Sequence, residues 1–312
     1  CTSACCIGFF WITNVSCRMG LAFNGNAARR EAVGEDGLSR GPCDRQAGAQ
    51  SACVLPTARE LIEFLQGFCS TQLAAGAQTS RVDRNATRIA KAYGFAVELA
   101  MLSRHFMISV VKPAADGIPQ ERHTAVCAIV SGAPNFQRVA ALNALSWNIG
   151  DENLSLDEAR RRFDAILALP ALNPVLLRFL VACANAAFCR LFDGDAVAMG
   201  LVFGATLAGF YLRQKLLHWG MDVKITFFCC AFAASLLASP GLIFGWGATP
   251  QTAMAASVLF LIPGIPLINA MMDILDGHVL MAVSRLVQAS TLIVCIALGL
   301  ALTMLLLGVD SL

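Results

Sequence analysis

Charge is scarce in this chain: Asp, Glu, Lys and Arg make up 14% of its 312 residues, against about 25% in ordinary soluble domains. The net charge is only +2, and no run of basic residues is interleaved with aromatics. A nucleic-acid partner is excluded on that ground. Thirteen cysteines are present, but they are scattered and none forms a C-x-x-C. Neither a disulfide framework nor a metal centre is expected. Histidine is rarer still, with four in all, and neither His105 nor His123 has the company of a nucleophile and an orienting group. His123 and Cys127 read as a strand-edge histidine and a core cysteine. No catalytic residue, metal or cofactor is expected, and an enzyme is the weaker class.

What the chain has instead is apolar surface: 57% of residues are hydrophobic and the mean hydropathy is +0.63. The distribution is uneven. Residues 1 to 170 hold 17 Lys/Arg and 15 Asp/Glu, whereas residues 171 to 312 hold 6 and 6. Two regions with two different solvents follow from that contrast. Residues 1 to 53 begin with Cys, contain an apolar GFFWI too short for a secretory core, and pass through the linker-like GEDGLSRGPCDRQAGAQSA. They read as a disordered tail or as a mis-started N-terminus, with Met19 one possible start.

Residues 54 to 170 read as a small α+β domain. Leu61, Phe64, Leu65 and Phe68 share one helical face, and Val82, Ala86, Ile89, Ala90 and Tyr93 share another. The second helix opens at GAQTSRVDR, where Ser80 is placed to cap it with Asp83 three residues on. Three strands follow, two from alternation at Phe95 to Met101 and at Phe106 to Val110, the third from the short β-prone run TAVCAIV at Thr124. Two further helices run from 136 to 149 and from 155 to 169, the last with Ser155 and Glu158 as a capping box and with Arg160, Arg161 and Arg162 on it.

Residues 171 to 312 contain five apolar stretches, roughly 172–192, 196–212, 223–244, 253–275 and 286–308, each near the ~20 residues needed to cross a bilayer. The expected fold is an α-helical integral membrane protein of about five transmembrane helices, one of them Pro-broken, preceded by the small domain. The loops RQKLLHWGMDVK and GHVLMAVSR carry Arg213, Lys215, Lys224 and Arg285, while DGD and GWGATPQT carry no Lys or Arg. By the positive-inside rule the small domain is cytoplasmic. Gly200, Gly204 and Gly209 form small-x-x-x-small spacings that suit close helix packing. Arg178 and Arg190 lie near the ends of the first span, placed to snorkel, and Asn185 is placed to bond across helices.

The stretch LIPGIPLINAMMDILDGH, residues 261 to 278, is the least ordinary. Pro263 and Pro266 each remove an N–H and Gly264 loosens the backbone between them. A helix interrupted in hydrocarbon needs protein or water around its freed peptide groups. Asn269 and Asp273 follow one turn apart on one face, then Asp276, His278 and Arg285. The expected role is a transport pathway. The plainer alternatives are a proline kink, an interfacial turn at Asp276–His278, and an Arg285–aspartate pair.

GAQTSRVDRNATRIAKAYG, QRVAALNALSW, LSLDEARRRFDAI and IPGIPLINAMMDILDGHVLMAVSRL, in that order, resemble the N-terminal domain of the threonine/serine exporter family over about residues 57 to 308. The resemblance implies a bacterial inner-membrane secondary exporter of small hydrophilic metabolites, threonine and serine in the naming members, driven by the proton gradient. It also implies a partner, a small membrane protein supplying the second exporter domain, since this chain resembles the larger subunit of a split exporter. Dicarboxylate export of the succinate type is the alternative substrate reading, a non-transporting scaffold or sensor the alternative class. An oligomer is compatible with either. By the match, Pro263, Gly264, Pro266, Asn269 and Asp273 fall on the family's most recognisable membrane motif.

Overall fold

The computed structural model describes residues 56–113, 121–129, 132, 134–170 and 173–308. The expectation for residues 1 to 53 therefore lies outside the described residues. The described chain forms two compact units, and they are not separated by a single cut. One holds the residues up to Leu169 together with Ile265–Arg285; the other holds Pro170–Gly264 and the residues from Leu286 onward.

The first unit is built on two helices, a sheet and two more helices. Helix α1 (Ala58–Ala74) begins with a reciprocal cap in which Thr57 accepts from the Glu60 N–H and Glu60 accepts from the Thr57 N–H. That capping lowers the Glu60 carboxyl below its ordinary value, through the Thr57 backbone hydrogen bond first. Helix α2 (Thr79–Ala92) follows after a tight turn, then β1 (Ala96–Met101), β2 (His105–Lys112) and β3 (Glu121–Ala128) in an antiparallel sheet of order β1-β2-β3. Alternation sends Leu99, Ile108 and Ala125 to one face in register. Helices α3 (Phe136–Asp151) and α4 (Leu156–Leu167) complete it. Leu61, Leu65, Phe68, Ile89, Phe106, Ile108 and Leu142 are fully buried in one core. Arg88 lies over the Trp147 ring, 3.6 Å from its centroid, and donates to Asn85 and Ser146. Burial there lowers the Arg88 pKa, and burial raises that of Cys69.

The second unit contains α5 (Pro174–Leu191), α6 (Ala196–His218), α7 (Val223–Ala238) with its short continuation α8 (Pro240–Ile243), α9 (Pro250–Ala256) and a 3-10 turn at Leu259–Leu261. After it come α10 (Gly264–Leu275) and α11 (Val279–Leu307), the last passing from one unit into the other. Among the described residues, four helices are long and apolar enough to cross a membrane, Pro174–Leu191, Ala196–His218, Val223–Ile243 and Val279–Leu307; the interrupted pair Pro250–Leu261 and Gly264–Leu275 makes a fifth if it counts as one span. Helix α6 runs six residues past the apolar stretch, because Arg213, Gln214, Lys215 and Leu216 are strong helix formers. Arg213 is consequently inside a helix rather than in a loop.

Inside this unit, polar groups are paired across helices. Ser235 on α7 and Thr303 on α11 approach to 2.7 Å, both fully buried. One turn earlier, Gly299 brings α11 against the α7 backbone: a Cβ there would lie 2.6 Å from the Phe228 carbonyl oxygen and 3.0 Å from the Phe232 nitrogen. At Gly200 and Gly204 a Cβ would meet nothing within 4 Å, whereas at Gly209 it would lie 2.8 Å from Phe260 Cζ and 3.3 Å from Ala234 Cβ.

Backbone cannot yield as a side chain can, so Gly299→Ala is expected to cost about 1–3 kcal/mol and to lower the thermal unfolding midpoint of the chain in detergent. Gly200→Ala should leave that midpoint in place. Equal midpoints for the two variants would remove the close approach at Gly299.

Candidate functional site

The segment Ile262–Arg285 carries all eight residues expected to line a pathway. The helix breaks at Ile262, whose φ of −60° and ψ of 125° are extended, as befits the residue before a proline. Pro263 is buried in the linker itself. Pro266 falls in the first turn of α10, where a backbone N–H has no partner four residues earlier. Neither proline removes a ladder bond from within a helix; together they separate two helices. On the near side of the break, the carbonyl of Ala256, at the last turn of α9, accepts from Asn185 Nδ2 at 3.1 Å. The same amide donates to Thr206 Oγ1 at 2.7 Å. One freed peptide group is thus satisfied by protein, with Asn185 bridging α5, α6 and α9.

On the far side, α10 buries Asn269, Ala270 and Asp273 and leaves Ile268, Met271, Ile274 and Leu275 exposed. Asn269 and Asp273 share the buried face, as their spacing requires. Asp273 is 0% exposed. A carboxylate that is fully buried must be paired and hydrogen-bonded, or it becomes neutral. Arg285, on the second turn of α11, supplies the pair: its Nη1 lies 2.7 Å from Asp273 Oδ2.

The other partners come from the turn between α1 and α2. Thr79 N–H donates to Asp273 Oδ1 at 3.4 Å, Arg285 Nη2 donates to the Ala77 carbonyl at 3.1 Å, and Asn269 Nδ2 donates to the Gly76 carbonyl at 2.9 Å. The turn can present those groups because Gly76 has φ of +87°, a left-handed conformation that glycine adopts without strain. Helix α2 has Gln78 at its N-cap with no side-chain cap bond. The Ser80 cap expected from sequence is not formed: the helix begins one residue before Ser80, and the carboxylate near its first N–H groups is Asp273. A negative group there is also favoured by the helix dipole. The Thr79 hydroxyl is buried without a hydrogen bond.

Asp276 is exposed and His278 half-buried. The His278 N–H donates to the Asp273 carbonyl at 2.7 Å, closing a turn in which Gly277 has φ of +81°. Their side chains are not part of the ion-pair cluster. Gly264 and Pro266 are half-buried at the start of α10. Among the described residues, no group of three His, Cys, Asp or Glu is placed to hold a metal. Sequence reasoning missed the Gly76–Thr79 turn as part of the cluster. The signal available was Gly76 itself, a glycine three residues ahead of the first residue of α2.

The family model described as "Putative threonine/serine exporter" matches residues 63–307. Among curated proteins, one from Klebsiella aerogenes named "Probable succinate transporter subunit YjjP" is 32% identical over 238 residues, which is 74% of this chain and 89% of that protein. Its namesake from Escherichia coli is 30% identical over 237 residues, with the same 74% and 89% covered. No solved structure matches. With the family match running from helix α1 to the end of α11, through both the ion-pair cluster and the interrupted helix, the chain belongs to the threonine/serine exporter family, a family of membrane transporters.

Proposed function

We propose that this chain is the larger subunit of a two-component secondary exporter in a bacterial inner membrane. It works with a small membrane protein that supplies the second exporter domain, and its substrate is a small dicarboxylate of the succinate type. The names of the two bacterial relatives favour the dicarboxylate and the word "subunit" favours the partner. The family description favours threonine and serine, and those amino acids are the competing outcome of the test. The small α+β unit is read as cytoplasmic.

The observation that carries the mechanism is Asp273, a buried carboxylate bonded at once to Arg285 and to the first N–H of α2. In this reading a proton arriving on Asp273 removes its charge. The attraction to Arg285 is then lost, and with it the hold on the Gly76–Thr79 turn. The unbonded Thr79 hydroxyl, on the residue whose N–H already reaches Asp273, offers the neutral acid another partner. Two arrangements of one cluster, selected by one proton, are what coupling to a gradient requires. Pro263 and Gly264 are the hinge, while Pro266, Asn269, Asp276, His278 and Arg285 border the moving segment.

The test of substrate is efflux from cells that express the chain together with the small partner. Labelled succinate should leave the cells faster than in cells without the chain, while threonine and serine should not. Faster efflux of the amino acids alone would reverse the substrate reading, and no efflux of any of the three would end the exporter reading. For coupling, Asp273→Asn should abolish gradient-driven efflux with normal membrane insertion, and should destabilise the α+β unit by about 3 kcal/mol because Arg285 is left without its partner. The double variant Asp273→Asn with Arg285→Gln should recover most of that stability but not the efflux. Gradient-dependent efflux at the wild-type rate in the double variant would remove Asp273 from the coupling role.

A further inference from the structure

Arg213 sits five residues from the end of α6, within a helix long and apolar enough to span a membrane. Its guanidinium carbon lies 5.5 Å from the centroid of the Phe210 ring and 5.3 Å from that of Phe227. Its Nε is buried and makes no hydrogen bond. Among the described residues no carboxylate pairs with it. Arg285 differs chemically, since it has both a carboxylate and a carbonyl as partners. A cation on a membrane span with aromatic walls and no anion is held in readiness at a cost, and such residues mark ligand pathways more often than they serve packing.

The surroundings extend the argument. Thr206, Gly209, Phe210 and Arg213 recur at helical spacing on one face of α6. Thr206 belongs to the Asn185–Thr206 polar pair, about 10 Å along the helix from Arg213 at 1.5 Å per residue. Between the two, Phe260 of the 3-10 turn lies over Gly209, its ring 6.2 Å from that of Phe210. A side chain at 209 would push Phe260 away. At the same end of α6 and on its neighbours stand Arg178, whose guanidinium lies over Tyr211, together with Lys215 and Lys224. The nearby acidic group, Asp222, is occupied as the N-cap of α7, where it accepts from the Lys224 N–H. Asp222 keeps its negative charge as a cap, but it stands against Arg178, Arg213, Lys215 and Lys224, so the balance at that end is positive, a field that concentrates anions.

We propose that Arg213 is the carboxylate-recognition residue of the membrane unit. Its planar fork, fixed between two rings, receives one carboxylate of a small organic acid, and Phe260 closes the way from that group toward the Asn185–Thr206 pair. A guanidinium serves here better than an ammonium, because two parallel N–H donors match the two oxygens of a carboxylate. Phe210 and Phe227 keep the fork oriented without competing for its donors. The proposal rests on the exporter reading only for what happens to the bound acid afterwards.

Titration calorimetry on the full chain in lipid nanodiscs tests it, with succinate and its uncharged diamide, succinamide, as the two probes. Wild type should bind succinate and not succinamide. Arg213→Gln should weaken succinate binding by about 30-fold or more, the usual consequence of removing one side of a desolvated charged hydrogen bond. Arg213→Lys keeps the charge and the reach to the interface but loses the fork, and should weaken it by about 5-fold or more. It also covers the event that the glutamine variant does not fold. Succinate binding within twofold of wild type in either folded variant would overturn the proposal, as would a wild type that binds succinate no better than succinamide. Failure here is separable from failure of the exporter reading: binding lost with the arginine while no cell-based efflux occurs leaves the site standing and removes the transport role.

Discussion

The turn at Gly76–Thr79 depends on side chains nearly two hundred residues later in the chain. Three of its backbone groups, two carbonyls and one N–H, are met by Asn269, Arg285 and Asp273. In a soluble protein a local Ser, Thr or Asp would do the capping. Here the capping group is the buried carboxylate of an ion pair, and its energetics follow from burial. Asp273 is 0% exposed and the Arg285 side chain 14%, so removing either charge leaves the other in a poor solvent. Each of the two charges therefore depends on the other, while the Asn269 bond to the Gly76 carbonyl needs neither. An exposed pair such as Arg59–Glu63, with side chains 81% and 56% exposed, has no comparable leverage.

The same logic of polar groups in apolar surroundings organises the membrane-like unit, with different partners. Hydrocarbon offers no hydrogen bonds, so each interruption of regular helix must be answered by protein. The end of α9 is answered by Asn185, and the Ser235 and Thr303 hydroxyls answer one another. Packing follows where the backbone is bare: Gly299 lets α11 lie against α7 close enough for the Ser235–Thr303 contact one turn on. Arg213 is the exception to this rule of internal satisfaction. Among the described residues of this unit, Arg213 Nε is the one buried side-chain polar atom without a hydrogen bond, and the proposed carboxylate is what would answer it.

The helices on either side of the ion pair carry two faces with opposite duties. On α10 the buried face is Asn269, Ala270 and Asp273, while Ile268, Met271 and Leu275 remain exposed. On α11 Met281 and Ala282 are buried while Leu280, Val283 and Val287 are exposed. Helix α10, with Asn269 and Asp273 on its inner face and an apolar outer face, suits a boundary between protein and lipid. It also explains why Ile265–Arg285 belongs to the compact unit that holds the sheet, even though its composition reads as membrane.

Periodicity marked the helices and the first two strands of the α+β unit, because burial of one face repeats every 3.6 or every two residues and needs no knowledge of neighbours; the third strand, read from β-prone composition at Thr124, begins at Glu121. Hydrophobic length alone marked the spanning helices, and the proline pair alone marked the break. The pairing of Asn269 with Asp273 on one face was also legible, since both lie on one short helix. Three things were decided only by tertiary structure: that Asp273 caps α2 in place of Ser80, that Gly299, and not Gly200 or Gly204, packs against the backbone of a neighbouring helix, and that Arg213 lies within a helix beside two aromatic rings. Each is a contact between residues far apart in the chain. Spacing along a sequence carries the direction in which a side chain points from its own helix, but it carries nothing about which other segment will be there to meet it.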